Sequence, residues 1–299
     1  MNNVLLIGSH GYIGSAIAEK IKCHSVDLSI GIDYRNLPIE FFDRYDAIIL
    51  LAGNSSVASC ANNQLSAFKN NVDNFAILLD KLSRAENRVK LIYASSSSVY
   101  GCVGGGTLTE SYTDFVPHNT YDITKHFIDM MAIDSKVEYY GLRFGTVCGY
   151  SPTLRTDVMI NSMVSSAKEN GHIKLYVKDI NRPILGINDL VNAVSAIISE
   201  KRDKRGIYNL ASFNSTAEEI ANAVAEICNV PIIELETPSL VTNAKEQTVT
   251  YDFAISSEKF INEFSFEFKE DVSTITNSLL DNWDNMVKVN RHKKVIYEP

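Results

Sequence analysis

Four short apolar runs, Val4–Ile7, Asp46–Leu51, Val89–Ala94 and Val137–Phe144, recur along the chain with helix-length amphipathic stretches between them. Runs that are apolar at successive positions suit strands covered on both faces. The intervening stretches predict helices through Lys22, over about Leu65–Arg84, and from about Thr120 to Asp134. His24–Asp27 reads as a short second strand. Strand and helix in alternation imply an α/β fold built on a doubly wound parallel sheet. The length of 299 residues fits one large α/β domain or two closely packed ones.

The pattern is less regular beyond residue 150. Ser151–Gly171 opens with a proline and continues as a mixed helix, and Asn188–Ser199 is a helix that Asn188 or Asp189 can cap. Ile207–Leu210 reads as a late strand. Ser215-Thr-Ala-Glu218 has capping-box spacing before a helix over Ala217–Cys228. Short strands follow, then a last helix near Asp271–Met286. The expected division is a dinucleotide-binding Rossmann domain, 1–150 and 183–213, with a smaller α/β substrate-binding lobe, 151–182 and 214–299.

A net charge of −8 argues against general affinity for nucleic acid. The basic cluster Lys288-Val-Asn-Arg-His-Lys-Lys294 reads as a solvated face. Five scattered cysteines without a Cys-x-x-Cys motif suit reduced thiols in a cytosolic protein. The six histidines show no metal-ligand spacing, so no metal site is expected. No run approaches a membrane span, and Val4–Ile7 is too short for a signal peptide. The expected location is the cytoplasm.

Gly8-Ser-His-Gly11-Tyr-Ile-Gly14 falls between the first strand and the first helix. Glycines there permit positive φ, close approach of a pyrophosphate and tight helix–strand packing. The helix start supplies free N–H groups and a positive dipole end. Asp27 ends the second strand, where a carboxylate can accept hydrogen bonds from both adenosine ribose hydroxyls; a strand-end Asp opening a turn is the alternative. No arginine directly follows to welcome a 2′-phosphate, which favours NAD over NADP. Asp33 can reach the adenine edge. Leu51-Ala52-Gly53 closes the next buried strand at the sheet edge where ligands bind.

Tyr121-Asp-Ile-Thr-Lys125 places a phenol and an ammonium one turn apart on a helix face, about 25 residues past Ser95–Ser98. A phenol of pKa near 10 is a poor base at neutral pH. A nearby positive charge is expected to favour the phenolate. A serine at a neighbouring strand end can then hold a substrate hydroxyl against the tyrosine oxygen. Taken alone, such a pair is equally a solvated helix face.

In this order, these motifs resemble the extended short-chain dehydrogenase/reductase family, in its NAD-dependent nucleotide-sugar epimerase/dehydratase group. The glycine turn has the family's Gly-x-x-Gly-x-x-Gly spacing. Leu51-Ala-Gly53 looks like its strand-end element, Asn71-Val72 like its helix asparagine, and Ala94-Ser-Ser-Ser-Ser-Val-Tyr-Gly101 like the serine strand of nucleotide-sugar epimerases. Similarity continues through Leu142–Gly149, Arg182-Pro183, Asp189-Leu190 and Tyr208–Leu210. The resemblance implies Ser96, Tyr121 and Lys125 as catalytic residues. It implies NAD held by Gly8, Gly11, Tyr12, Ile13, Gly14, Asp27, Asp33, Leu51, Ala52, Gly53, Asn71, Tyr121, Lys125 and Phe144. Arg182 fits the arginine that grips the nucleotide diphosphate, and Ser97, Thr146, Arg155 and Asn161 are expected to line the same pocket. Asp189 is expected to cap a helix.

Counting back from Gly101, Ser97 and Ser98 fall where sugar 4,6-dehydratases carry Asp and Glu, and Ser98 where decarboxylases carry Glu. A hydroxyl cannot perform that proton transfer at neutral pH. Dehydration and that decarboxylation are disfavoured. A nucleotide-sugar epimerase acting at C4 through a keto-sugar is the leading expectation, on a UDP-, dTDP- or GDP-hexose. The alternatives are an NAD(P)H-dependent reductase of a 4-keto nucleotide sugar and a non-catalytic dinucleotide-binding member. Thr146, Cys148 and Gly186 depart from an asparagine, a tyrosine and a histidine common at those positions. The family also implies a homodimer.

Overall fold

The computed structural model describes residues 3–101, 103, 105–235 and 251–289. Cys102, Gly104 and the basic cluster from residue 290 onward lie outside them. Six strands form the main sheet: β1 (Val4–Ile7), β2 (His24–Val26), β3 (Ala47–Leu50), β4 (Lys90–Ser96), β5 (Glu138–Phe144) and β6 (Gly206–Leu210). Their order is β6-β5-β4-β3-β1-β2, and every pairing is parallel. All residues of β1, β3, β5 and β6 are buried, because helices cover both faces. Leu5, Leu6 and Ile48 have no exposed surface. Burying such a side chain stabilises the fold by about 1.5–3 kcal/mol. β2 is added on one side of β1 and β3 on the other, so the sheet grows in opposite directions from β1. In open α/β sheets, the crevice at the carboxyl ends of such strands is where ligands bind.

A three-stranded sheet lies beside the main one. Thr146–Cys148 runs parallel to Asn181–Gly186, which pairs antiparallel with Phe213–Thr216. Its strands come from both sides of the expected division between the two lobes. Helices Met159–Asn170, Ala217–Cys228 and Val272–Asp281 pack on one another beyond it.

Several local expectations shift. The stretch expected as one helix over Leu65–Arg84 is Gln64–Phe68 and Asn74–Ser83, joined by a π turn over Lys69–Asp73. The expected helix over Ser151–Gly171 begins only at Met159, because Thr153–Arg155 first pairs with Val287–Val289. The capping box before Ala217 uses Thr216 and Glu219, one residue later than expected. The last helix is Val272–Asp281, and an additional helix, Glu258–Phe264, precedes it.

Neither Asn188 nor Asp189 caps the Ile187–Ser199 helix. Glu270 does so from far along the chain, accepting from the N–H groups of Asn188 (2.7 Å) and Asp189 (3.1 Å). Asp189 instead accepts from Ser212 Oγ and from the N–H groups of Lys269 and Glu270. Gly186 makes this possible, since a Cβ there would overlap the Glu270 carboxylate. A carboxylate at a helix N-terminus also meets the positive end of the dipole.

Candidate active site

The glycine turn sits at the carboxyl end of β1. Gly8 has φ +93°, and a Cβ there would lie 2.6 Å from Ala52 N. A Cβ on Gly14 would overlap the Gly8 carbonyl oxygen. The turn therefore packs as closely as backbone allows. No side chain caps the Tyr12–Lys20 helix that follows Gly11, so its first-turn N–H groups are available to an anion such as a pyrophosphate. This fits a dinucleotide. Tyr12 turns inward, donating from its hydroxyl to Gly149 O at 2.9 Å, and half-buried Ile13 packs against the core. The Tyr12 side chain is thereby committed to the fold.

Asp27 opens a turn at the strand end, the alternative expected for it. It caps the turn Leu28–Ile30 by accepting from Ser29 N, and it accepts from His10 N of the glycine turn at 3.0 Å. Burial works to raise its pKa, yet these N–H groups outweigh it and hold the carboxyl below its ordinary range. A carboxylate so fixed suits a ribose diol. Asp33 is otherwise engaged: both of its oxygens accept from Arg35. An adenine contact for Asp33 would have to share its carboxylate with that ion pair.

At the end of β3, Gly53 lies against Asn71, whose Oδ1 would be 2.9 Å from a Cβ at Gly53. Asn71 occupies the π turn, where an inserted residue re-aims a side chain. Its Oδ1 accepts from Asn54 N at 2.7 Å. Its Nδ2 donates to Asn54 O and to Thr124 Oγ1, both at 3.0 Å. The strand end is thereby tied to the tyrosine helix. Asn71, Leu51, Ala52, Ala94 and Lys125 border a cavity of about 20 Å³.

Asn119 caps the Thr120–Asp134 helix through Asp122 N. Lys125 is buried on its sheet-facing side and donates to Ala94 O at 2.7 Å. Burial pulls its ammonium down to about 8, with the Asp129 carboxylate as a partial offset. Tyr121 lies near enough to Ser96, the last residue of β4, for the serine hydroxyl to favour the phenolate. Burial pushes the phenol up to about 12, against the opposing effects of Ser96 and the Arg155 guanidinium. The expected lowering of the phenol by Lys125 is thus reversed. The ammonium lies 5.7 Å from the Tyr121 ring centre and spends a hydrogen bond on β4 rather than on the phenol oxygen.

The expected substrate residues divide. Ser97 is buried in the turn Ser97–Tyr100 that ends β4, and Phe144, expected beside the cofactor, stands opposite Ser96 on β5. Arg155 lies close enough to act electrostatically on Tyr121. Its guanidinium is forked onto Asp157 at 2.8–3.0 Å and donates to Ser55 O. Thr146 and Arg182 lie on adjacent strands of the three-stranded sheet, Thr146 in register with Ile184. Asn161 is fully buried and committed to the fold: it accepts from Gly149 N and donates to Arg155 O and Tyr12 Oη. Its expected substrate contact gives way to fastening the glycine turn. Sequence reasoning missed Asn54, Thr124, Asp157 and Asp122. Only Asp122 carried a local signal, as a carboxylate inside the Tyr-x-x-x-Lys segment.

The NAD dependent epimerase/dehydratase family profile matches residues 4–211. UDP-glucose 4-epimerase of Mycoplasma genitalium is 24% identical over 311 residues, covering 85% of this chain and 92% of that protein. ADP-L-glycero-D-manno-heptose-6-epimerase of Brachyspira hyodysenteriae is 25% identical over 271 residues, covering 77% and 83%. A UDP-glucose-4-epimerase structure from Stenotrophomonas maltophila, with bound NAD and formylated UDP-arabinopyranose, superposes with a TM-score of 0.78 at 16% identity, covering 94% of this chain and 97% of that one. The match spans the glycine turn, the serine strand and the tyrosine helix, and the chain belongs to the NAD-dependent epimerase/dehydratase family.

Proposed function

We propose that this protein is an NAD-dependent nucleotide-sugar epimerase acting at C4 of a UDP-, dTDP- or GDP-hexose. The observation that carries the reading is Tyr121 brought near Ser96 at the end of β4, with hydroxyls at Ser97 and Ser98 in place of an acid–base pair. The epimerase from Mycoplasma genitalium supports the sugar class. Bound NAD would supply the hydride acceptor and return the hydride. The chain's own residues do the rest. Gly8, Gly11 and Gly14 admit the pyrophosphate, Asp27 takes the ribose diol, and Lys125 holds the tyrosine helix against β4. Ser96 and Tyr121 bind the hydroxyl at the reacting carbon, and Tyr121 receives its proton as the carbinol becomes a ketone. The keto-sugar then turns over and is reprotonated from the same phenol. Arg182 and Arg155 are placed in this reading on the nucleotide diphosphate and Thr146 beside the sugar.

The Thr120–Asp134 helix exposes Phe127, Met130 and Ile133 at helical spacing, about half exposed each, near exposed Leu65. An apolar stripe of this kind suits burial against a second copy, and we assign the protein as a homodimer through this face.

Purified protein is to be incubated with each sugar nucleotide and the products resolved by NMR. Interconversion at C4 without net change in reduced nicotinamide is expected. Net consumption of reduced nicotinamide with a 4-keto sugar identifies a reductase instead, and no reaction with any of these sugars sinks the proposal. Tyr121→Phe should lower kcat by at least about 10²-fold while NAD binding persists; a pure binding module would be unaffected.

A further inference from the structure

The first turn of the tyrosine helix is fastened from a distant part of the chain. Asn119 caps it by accepting from Asp122 N at 3.0 Å. The Asn119 side-chain nitrogen donates to Asp122 Oδ2 at 2.9 Å and to Tyr251 Oη at 2.6 Å. Tyr251 in turn donates to Asp122 Oδ2 at 2.6 Å. Its phenol oxygen thus accepts from the cap and donates to the first turn, closing a triangle around the residue next to Tyr121. Asp122 has no exposed surface. A carboxylate so buried is costly unless hydrogen-bonded, and Tyr251, Asn119 and His118 N, the last at 3.4 Å, supply donors. A tyrosine hydroxyl has one proton to donate. Here it goes to a carboxylate oxygen, the stronger kind of acceptor.

Tyr251 belongs to a short segment that touches the substrate side as well. Asp252 Oδ1 accepts from Asn181 N at 2.8 Å and from Asn181 Nδ2 at 3.0 Å, at the start of the strand that carries Arg182. Phe253 is buried and edge-on to Tyr100, in the turn that ends β4. Ala254–Ile255 pairs in parallel with Thr107–Leu108, in the loop between that turn and the tyrosine helix. Ile255 also exchanges hydrogen bonds with the Asn214 side chain on the Phe213–Thr216 strand. Tyr251 and Asp252 are the neighbours that matter here: one holds the tyrosine helix and the other holds the Arg182 strand. Consecutive Cα atoms lie about 3.8 Å apart, so the two holds cannot drift independently.

We propose that Tyr251 is a positioning residue of this site: its hydroxyl, bonded to Asp122 and Asn119, sets the first turn of the tyrosine helix, and with it Tyr121, against the strand that carries Arg182. The inference rests on the proposed reaction at the sugar carbinol with Arg182 on the diphosphate. In that reading the diphosphate fixes one end of the sugar nucleotide, and the reacting oxygen must then fall within hydrogen-bond reach of Tyr121. A helix start displaced by about 1 Å misplaces the phenol and costs up to about 10²-fold in rate, without loosening the grip on the diphosphate. Tyr251 acts through Asp122. The role requires an acceptor oxygen at the Oδ2 position of Asp122 rather than a negative charge there.

The test uses the NAD-bound protein with its active sugar nucleotide. Tyr251→Phe keeps the ring and deletes the hydroxyl. It should lower kcat by about tenfold, with KM and NAD affinity within about twofold of wild type. A bond that merely stabilises the fold would lower the melting temperature and leave kcat alone. Asp122→Ala should lose about as much kcat as Tyr251→Phe, and the double variant should lose no more than Asp122→Ala. Asp122→Asn, which keeps an oxygen for Tyr251, should recover most of the loss. A Tyr251→Phe kcat within about twofold of wild type overturns the assignment, as does a change confined to KM or an Asp122→Asn rate no better than that of Asp122→Ala. If Asp122→Ala fails to fold, Tyr251→Phe decides the matter, because it removes one hydroxyl and leaves the Asn119 and His118 contacts to Asp122 in place. A readout free of turnover is amide hydrogen exchange over residues 119–125, followed by mass spectrometry. It should quicken by about tenfold in Tyr251→Phe; unchanged exchange overturns the fastening even where the enzyme is active. Wild-type inactivity toward every sugar nucleotide, with exchange quickened as expected, overturns the proposed function and leaves the Tyr251–Asp122 joint standing.

Discussion

Lys125 shows how a single buried charge sets stability against activity. Its ammonium is held in the interior with one carbonyl partner, Ala94 O, and burial pulls it down to about 8. Between about pH 8 and the ordinary lysine value the unfolded chain binds more protons than the folded one. Stability therefore rises with pH through that window, and below it the charged lysine opposes folding in full. Lys125→Met should stabilise the cofactor-free protein at neutral pH by on the order of 1–3 kcal/mol. Thermal melting at neutral and alkaline pH checks this: the gain over wild type should shrink as pH rises. The same variant should lose sugar turnover. An equal or lower melting temperature at neutral pH would mean that the Ala94 contact outweighs desolvation.

At the scale of elements, two joints hold the site. One is the glycine turn against β3 and the Tyr12–Lys20 helix. Gly14→Ala must push the helix away from Gly8, since its Cβ would overlap the Gly8 carbonyl oxygen. Binding of NAD, followed by calorimetric titration, should weaken by at least about tenfold, or about 1.4 kcal/mol. The other is the buried pair between the tyrosine helix and β5. Arg143 Nε donates to Asp129 Oδ2 at 2.9 Å, Tyr93 Oη donates to Asp129 Oδ1 at 3.0 Å, and Arg143 also reaches Tyr100 Oη. Removing one member strands a buried charge. Asp129→Ala should destabilise the protein by about 3–5 kcal/mol, measured by urea titration. Arg143 already lies over the Tyr100 and Phe115 rings at 5.0 Å, so its own apolar contacts will not rescue the lost carboxylate.

For the whole molecule, the main sheet and the three-stranded sheet share connections rather than a linker. Glu270 caps a helix that packs on the Tyr12–Lys20 helix, and Asn161 fastens the glycine turn to the strand end at Gly149. A pocket built this way is preorganised by long-range contacts. The exposed stripe on the tyrosine helix places the proposed dimer seam on the opposite side of the element that carries Tyr121. Met130→Lys with Ile133→Lys should convert a dimer into a monomer in sedimentation equilibrium, and an unchanged mass would place the interface elsewhere.

How much was legible follows from how far each feature reaches along the chain. The apolar runs, the glycine spacing, and the tyrosine and lysine one turn apart are local patterns, and the sequence by itself determined the parallel sheet, its turn and the family. The capping box moved by one residue: Thr216 takes the Glu219 N–H, and Ser215 donates to the Glu219 carboxylate instead. Whether Asn161 meets a ligand or Gly149, whether Asp189 or Glu270 caps a helix, and whether Asp33 is free of Arg35 depend on side-chain placement that spacing does not encode. Tertiary structure alone decided the electrostatics. It half-buried Tyr121 and set Lys125 against Ala94, so the charge expected to lower the phenol was diverted to a carbonyl. Desolvation and hydrogen bonding act through three-dimensional surroundings, and those exist only once the chain has folded.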